Sequence, residues 1–263
     1  MRQNKLFFAR SKQAALAWLA LGLLTGLFIA SAAAAEDKLT GDRIAGSDGE
    51  LVIHPINHAT FLMACKDKTI YIDPVGGAKR FDGLPHPDLI LVTDIHGDHS
   101  SSETLEVVAD ARTTIVAPAA VAEKLPQKLR KQTTVLANGE SKLVSGVSLE
   151  AVPMYNLTAD RLKYHDKGRG NGYLVTLGGK RIYISGDTED IPEMRALKNI
   201  DVAFLCMNLP YTMTVEQAAS AVREFKPKIV YPYHYRGSDL EKFKKLVGAD
   251  SGVEVRLRDW YKP

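Results

Sequence analysis

Cysteine is scarce in this 263-residue chain, and the two that occur lie inside apolar segments: Cys65 closes Phe61-Leu62-Met63-Ala64-Cys65, and Cys206 sits in the run from Val202 to Met207. They are too few for a framework of bridges and are expected to be buried free thiols, with one disulfide between core strands left open. Charge of one sign is also missing. The formal net charge is +3, but Arg2, Lys5, Arg10 and Lys12 account for it; from residue 36 onward 30 basic side chains stand against 31 acidic ones, a net of −1. With no basic stripe and no aromatics interleaved in one, nucleic acid is excluded as a partner. No internal repeat or low-complexity linker follows residue 35. A chain 45% hydrophobic and 25% charged is an ordinary globular one, neither disordered nor fibrous.

The first 35 residues are the exception. Four basic residues precede an apolar run from Ala14 to Ala30, and Ser31-Ala32-Ala33-Ala34-Ala35 follows it. Small residues at Ala33 and Ala35 satisfy the A-x-A rule, so residues 1–35 are expected to be a signal peptide cleaved before Glu36, giving a periplasmic or secreted protein with no membrane attachment. The run is near the length of a bilayer span, which makes an uncleaved anchor the competing expectation. There is no twin-arginine pair.

From Leu51 onward, short β-branched and aromatic runs alternate with turn signals, which predicts strands over 51–53, 60–63, 69–72 and 89–93. Ser100-Ser101-Ser102-Glu103 has capping-box spacing and opens a helix to about Asp110; a strand over 114–116 and a helix with Pro118 near its first turn come next. Strands are predicted over 133–136, 142–144, 147–153, 173–176 and 181–185, with Gly178-Gly179 as a hairpin turn. In the last third, strands over 202–206, 229–231 and 253–257 alternate with helices opened by Thr214-Val215-Glu216-Gln217 and running from about Leu240 to Val247. Two strand-rich halves, each with its own helices, fit an α+β class and a four-layer αββα sandwich as one domain over 36–263, although spacing alone does not separate the sandwich from other α+β arrangements.

Three predicted strands end in clusters of potential metal ligands. Leu89 to Thr93 runs into Asp94-Ile95-His96-Gly97-Asp98-His99, Ile182 to Ser185 into Gly186-Asp187-Thr188, and Ile229 to Tyr233 into His234. Imidazole nitrogen and carboxylate oxygen are the ligands expected for zinc, and for iron or manganese as carboxylates accumulate. Four such residues within six positions converge only if the loop reverses direction, and Gly97 is expected to help it turn. One histidine or one Gly-Asp at a strand end is ordinarily structural. The three clusters together point to a metal site formed by Asp94, His96, Asp98, His99, Asp187 and His234.

In these residues the chain resembles the metallo-β-lactamase fold hydrolases: Asp94 to His99 is similar to the family's H-x-H-x-D-H motif, Gly186-Asp187-Thr188 to its bridging-aspartate motif, and His234 to its final histidine. Asn57-His58-Ala59-Thr60 and Ile72-Asp73-Pro74 are similar to the opening segments of ascorbate-phosphate lactonase-like and N-acyl-phosphatidylethanolamine phospholipase D-like proteins. The resemblance implies one metal position on Asp98, His99 and His234, with Asp187 bridging to a second held by His96. Two departures fall on that second half: Asp94 replaces the first histidine, and Asn156, in Pro153-Met154-Tyr155-Asn156, stands where another histidine is expected. One tightly held Zn2+ is therefore expected, with Mn2+ or Fe as alternatives and a second ion depending on whether His165 is recruited.

The resemblance also implies hydrolysis of a small-molecule lactone, amide or phosphoester, with Asp98 as general base or water orienter. His58 is expected either to face the cleft or to hydrogen-bond behind it, and Asp73 to orient a ligand histidine. Candidate substrate contacts are Asn156, His165 and Arg236; the basic, glycine-rich loop Lys163 to Gly172 is long enough to close over an anion, but a solvated surface loop is the favoured expectation for it. An iron-dependent redox protein and a non-catalytic metal or ligand binder are the competing classes. Export does not make the chain a β-lactamase, because a fold does not assign a substrate.

Overall fold

In β3 (Thr60–Cys65) Phe61, Met63 and Cys65 point to one side, Leu62 and Ala64 to the other, and all five are buried. A strand buried on both faces belongs inside a layered structure. The computed structural model describes residues 39–261, so the expected leader, 1–35, lies outside the described residues. The chain divides into two compact units; of the smaller, 39–40 and Gly83–Pro85 are described, and the larger, Gly41–Asp82 with His86–Pro263, carries every element below.

Among the described residues the strands form two seven-stranded sheets. The first runs in chain order: β1 (Asp42–Gly46), β2 (Gly49–Asn57), β3, β4 (Lys68–Ile72), β5 (Leu89–Leu91), β6 (Thr114–Ala117) and β7 (Thr133–Val135). The second runs from β8 (Ser141–Val144) through β9 (Val147–Met154), β10 (Gly170–Leu177), β11 (Lys180–Ile184), β12 (Val202–Cys206) and β13 (Ile229–Tyr233) to β14 (Glu254–Val255). Each sheet begins as an antiparallel meander and turns parallel at its fourth strand. Parallel neighbours need crossovers, and these carry the helices. In the first half they are α1 (Ser102–Val108), α2 (Ala119–Lys124) and α3 (Gln127–Lys131); in the second, α4 (Pro192–Arg195), α5 (Val215–Phe225) and α6 (Leu240–Val247).

The sheets meet through alternate side chains, with the Phe61 and Phe204 rings 4.4 Å apart and Trp260 set edge-on against both. The opposite faces meet the crossovers, as where Tyr183 of β11 meets Phe225 of α5 at 6.1 Å. The result is an αββα sandwich, one of the α+β arrangements that the spacing allows. Both cysteines are buried and neither forms a disulfide among the described residues.

Several boundaries differ from the sequence-based expectation, each for a local reason. Ser101, not Ser100, caps α1 by accepting the Thr104 N–H, so Glu103 closes no capping box; Thr214 and Gln217 do close one on α5. Strand β10 begins at Gly170, inside what reads as a loop, because its glycines let backbones approach: a Cβ on Gly172 would lie 2.9 Å from the Ile184 carbonyl. β14 is shorter than expected, and β1, α3 and α4 are additions with little patterning of their own.

Candidate metal centre

The ligand-rich segments leave the ends of β5, β9, β11 and β13 at one edge of the sandwich. Asp73, just past β4 and fully buried, organises the first of them. It accepts the Thr93 N–H at 2.7 Å and the Thr93 hydroxyl at 2.6 Å, and its Oδ2 lies 2.7 Å from His99 Nδ1. That contact places the Nδ1 proton on the Asp73 side and leaves Nε2 as the ligand-bearing nitrogen, the arrangement usual behind a metal-bound histidine. The turn itself is closed by the His96 carbonyl, which accepts the N–H groups of His99 and Ser100. Gly97 is not what makes it possible: a Cβ there would meet nothing within 4 Å, and its φ lies outside the left-handed region. The glycine the site requires is Gly186, with φ +60 and Met154 Sδ 2.5 Å from where a Cβ would stand.

Asp187 lies at the centre, between two sets of donors. On one side His99 Nε2 is 3.2 Å from its Oδ2 and His234 Nε2 is 3.4 Å from its Oδ1, while Asp98 Oδ2 lies 3.3 Å from His234 Nε2. On the other, His165 Nε2 is 3.4 Å from Asp187 Oδ2 and 3.9 Å from Asp94 Oδ2, and His96 Nδ1 is 2.8 Å from Asp94 Oδ2. The ligand atoms of His99, Asp187 and His234 lie within 4.8 Å of one another, and so do those of Asp94, His96 and His165. Each half therefore offers two imidazoles, its own aspartate and a share of Asp187.

These residues fit a cation. His99 Nε2, both His165 nitrogens and Asp187 Oδ1 are buried and make no hydrogen bond; a buried polar group left so costs about 1–3 kcal/mol. The electrostatics agree. Burial works against a charged His99, but Asp187 and Asp73 outweigh it and raise its proton affinity well above the ordinary value. Burial also opposes charge on Asp98, yet hydrogen bonds involving His234 and His58 hold its carboxyl far below the usual range. Three residues here, His58, Asp73 and His234, adopt positive φ (55, 44 and 46), a strain of about 1–3 kcal/mol each for non-glycine residues.

His165 belongs to the cluster, whereas Asn156 does not touch it. The Asn156 amide donates to the carbonyls of Arg161 and Tyr211 at 2.9 and 2.7 Å, and its backbone N–H donates to the His165 carbonyl at 3.0 Å. Asn156 thus shapes the loop that delivers His165 and makes no contact through the cavity. Beneath the loop lies Glu189, fully buried, which the sequence reading missed. Its Oε2 accepts the N–H groups of Leu157 and Thr158 at 2.6 and 2.7 Å, and its Oε1 pairs with Arg161 at 2.5 Å. Its place two residues past Asp187 was the one available hint. The loop's cations also differ from expectation: Arg169 is spent on Asp94 and Lys167 on Glu193, so neither is available to an outside anion.

His58 does both things considered for it. It lines the cavity, and its ring lies between Asp98, 3.1 Å from Nε2, and the Tyr261 hydroxyl, 2.7 Å from Nδ1. Burial holds His58 toward its neutral form. A carboxylate facing Nε2 requires the single proton there, so Nδ1 accepts from Tyr261, whose oxygen in turn accepts the Tyr235 N–H at 3.0 Å. Tyr261 was not foreseen. The cavity, about 820 Å³, is also lined by His96, Asp98, Asp187, His234 and Arg236.

Fold and cluster together define a class, an αββα protein with a His/Asp centre suited to metal-dependent hydrolysis. A family model described as "Beta-lactamase superfamily domain" matches residues 53–234. A "UPF0173 metal-dependent hydrolase" of Pyrococcus abyssi (strain GE5 / Orsay) is 36% identical over 214 residues, covering 76% of this chain and 93% of that protein. One of Thermococcus kodakarensis is 34% identical over 213 residues, with the same coverage. Among solved structures, a protein of Parabacteroides distasonis ATCC 8503 proposed to be a metal-dependent hydrolase is 41% identical with a TM-score of 0.77, covering 85% of this chain and all of that one. The chain belongs to the beta-lactamase superfamily and is a metal-dependent hydrolase within it.

Proposed function

We propose that this hydrolase holds two zinc ions, one on Asp98, His99, His234 and Asp187, the other on Asp94, His96, His165 and Asp187, and cleaves a small-molecule lactone, amide or phosphoester. The observation that carries the second position is His165, a buried histidine with both ring nitrogens unpartnered and Nε2 directed at Asp187. The expectation of a single ion rests on two departures, Asp94 and Asn156; His165 supplies the imidazole that Asn156 lacks, and Asp94 stands beside it as a carboxylate donor, so each half has two imidazoles and a carboxylate besides Asp187. When bound, such ions acidify water to a pKa of about 7 and polarise the oxygen under attack.

The chain's own residues do the rest. Asp98, with its side chain 47% exposed, faces the cavity and is the carboxylate placed to orient the attacking water and take its proton. His58 holds Asp98 through Nε2, and Tyr261 fixes the His58 tautomer. Asp73 keeps His99 turned toward the centre. The run from Ala14 to Ala30 and the small residues at Ala33 and Ala35 support cleavage before Glu36 and a periplasmic or secreted location, and N-terminal sequencing of protein from the periplasmic fraction checks both.

Metal analysis of protein purified without added metal, followed by lactone, phosphodiester and β-lactam substrates, tests the assignment. Two zinc ions per chain and turnover of at least one class are expected, with both lost in Asp187→Ala. If Asp187→Ala and His234→Ala keep metal and activity, the site is misassigned.

A further inference from the structure

The cavity beside the centre is lined by a free cation and by a cluster of apolar side chains. Arg236, two residues past His234, is the cation. Its guanidinium lies over the Tyr261 ring, 5.2 Å from the centroid, and it has no ion-pair partner among the described residues. The other guanidiniums close to the centre are engaged, Arg169 by Asp94 and Arg161 by Glu189. Among the described residues Arg236 is the guanidinium left facing the cavity, held by an aromatic face that leaves its N–H edges free for a planar anion.

The apolar cluster comes from two loops. Leu209, Pro210 and Tyr211 follow β12, and Tyr164 from the His165 loop sets its ring edge-to-face on Tyr211 at 5.0 Å. Leu209 is 52% exposed and Tyr211 45%. Large apolar side chains exposed together at the rim of a polar cavity mark the surface a ligand's apolar part covers. We propose that the substrate is a small amphiphilic anion. A carboxylate or phosphate separate from the scissile group is held by Arg236, and an acyl or aryl arm lies against Leu209, Tyr211 and Tyr164. The bond to be cleaved then lies over the centre between them, and in that last respect the inference rests on the metal-site reading above.

The experiment measures binding, so it does not depend on turnover. Calorimetry on the purified protein compares naphthalene-2-sulfonate, which has both features and is a weak metal ligand, with methyl 2-naphthyl sulfone, which lacks the charge, and methanesulfonate, which lacks the arm. Wild type is expected to bind naphthalene-2-sulfonate about tenfold more tightly than either. Arg236→Gln should erase the advantage over the sulfone and keep that over methanesulfonate, and Leu209→Ser with Tyr211→Ser should do the reverse. Chelator-treated protein should show the same contrasts, so failure of the metal assignment leaves this result standing. No binding, no preference in the wild type, an unchanged ratio in Arg236→Gln, or a preference confined to metal-loaded protein overturns the proposal.

Discussion

Arg169 grips Asp94 with two nitrogens, Nε 3.2 Å from Oδ1 and Nη2 3.0 Å from Oδ2, inside a centre where Asp94 has no exposure at all. Asp94 departs from the family motif by putting a negative charge where a neutral imidazole is usual. Arg169, 75 positions further on, is the compensating charge. Its Nη2 also donates to the Tyr164 carbonyl at 2.5 Å, so the same guanidinium ties down the loop that brings His165 in.

Arg169→Met should accordingly leave a buried carboxylate with only its histidine neighbours and destabilise chelator-treated protein by up to about 3 kcal/mol. Urea unfolding measures it. Asp94→Asn in the same background should recover most of the loss, and a single variant within about 1 kcal/mol of wild type would show the pair to be inert.

His165 and Asn156 should separate cleanly by metal content. His165→Ala is expected to bring two ions per chain down to one with little change in stability. Asn156→Ala should keep two ions but lower the unfolding midpoint, since it frees the Arg161 and Tyr211 carbonyls of a partner. Mass spectrometry of the metal-loaded variants and a thermal scan distinguish them; equal metal loss in both would contradict the placement of His165.

Metal uptake should release protons. In the metal-free protein the raised proton affinity of His99 keeps it protonated through neutral pH, while Asp98 and Asp187 lie far below their ordinary values and are already ionised. An ion needs the neutral imidazole, so about one proton leaves on binding to that half. Affinity therefore rises with pH up to the folded-state pKa of His99 and is flat above it. Calorimetry in buffers of different ionisation enthalpy gives the proton count, and a count of zero removes the argument.

The thiols should be silent. Burial pushes the Cys206 thiol up to about 12, and Cys65 is buried as well. Ellman's reagent at pH 8 should report no reactive thiol in native protein and two after unfolding in guanidinium. Prompt labelling of the native state would mean that the core opens at one of these strands.

What was legible in the residues was what repeats or clusters locally. Helix α6 was predicted from about Leu240 to Val247, where it lies, and β12 over 202–206, because periodicity and strand propensity are written into adjacent positions. The α+β class followed from the order of those elements, and the resemblance to a known family singled out the αββα sandwich. Asp94 to His99 announced itself because its donors are neighbours in sequence. Gly97 was given a part it does not play: the turn is closed by hydrogen bonds to the His96 carbonyl, and that depends on where the flanking backbone is held.

By itself, then, the sequence determined the elements, the strand ends at which His and Asp side chains gather and the identity of most of those side chains, since each follows from patterns a few residues long. The tertiary structure decided how those donors pair. It brought His165 rather than Asn156 to the centre, set Arg169 against Asp94, placed Glu189 under the loop, and carried Tyr261 across to His58 from 203 positions away. Each of these is a contact between segments far apart in the chain, fixed by the packing of two sheets and by the need to neutralise charge and satisfy hydrogen bonds inside them, and no local pattern encodes such a partner.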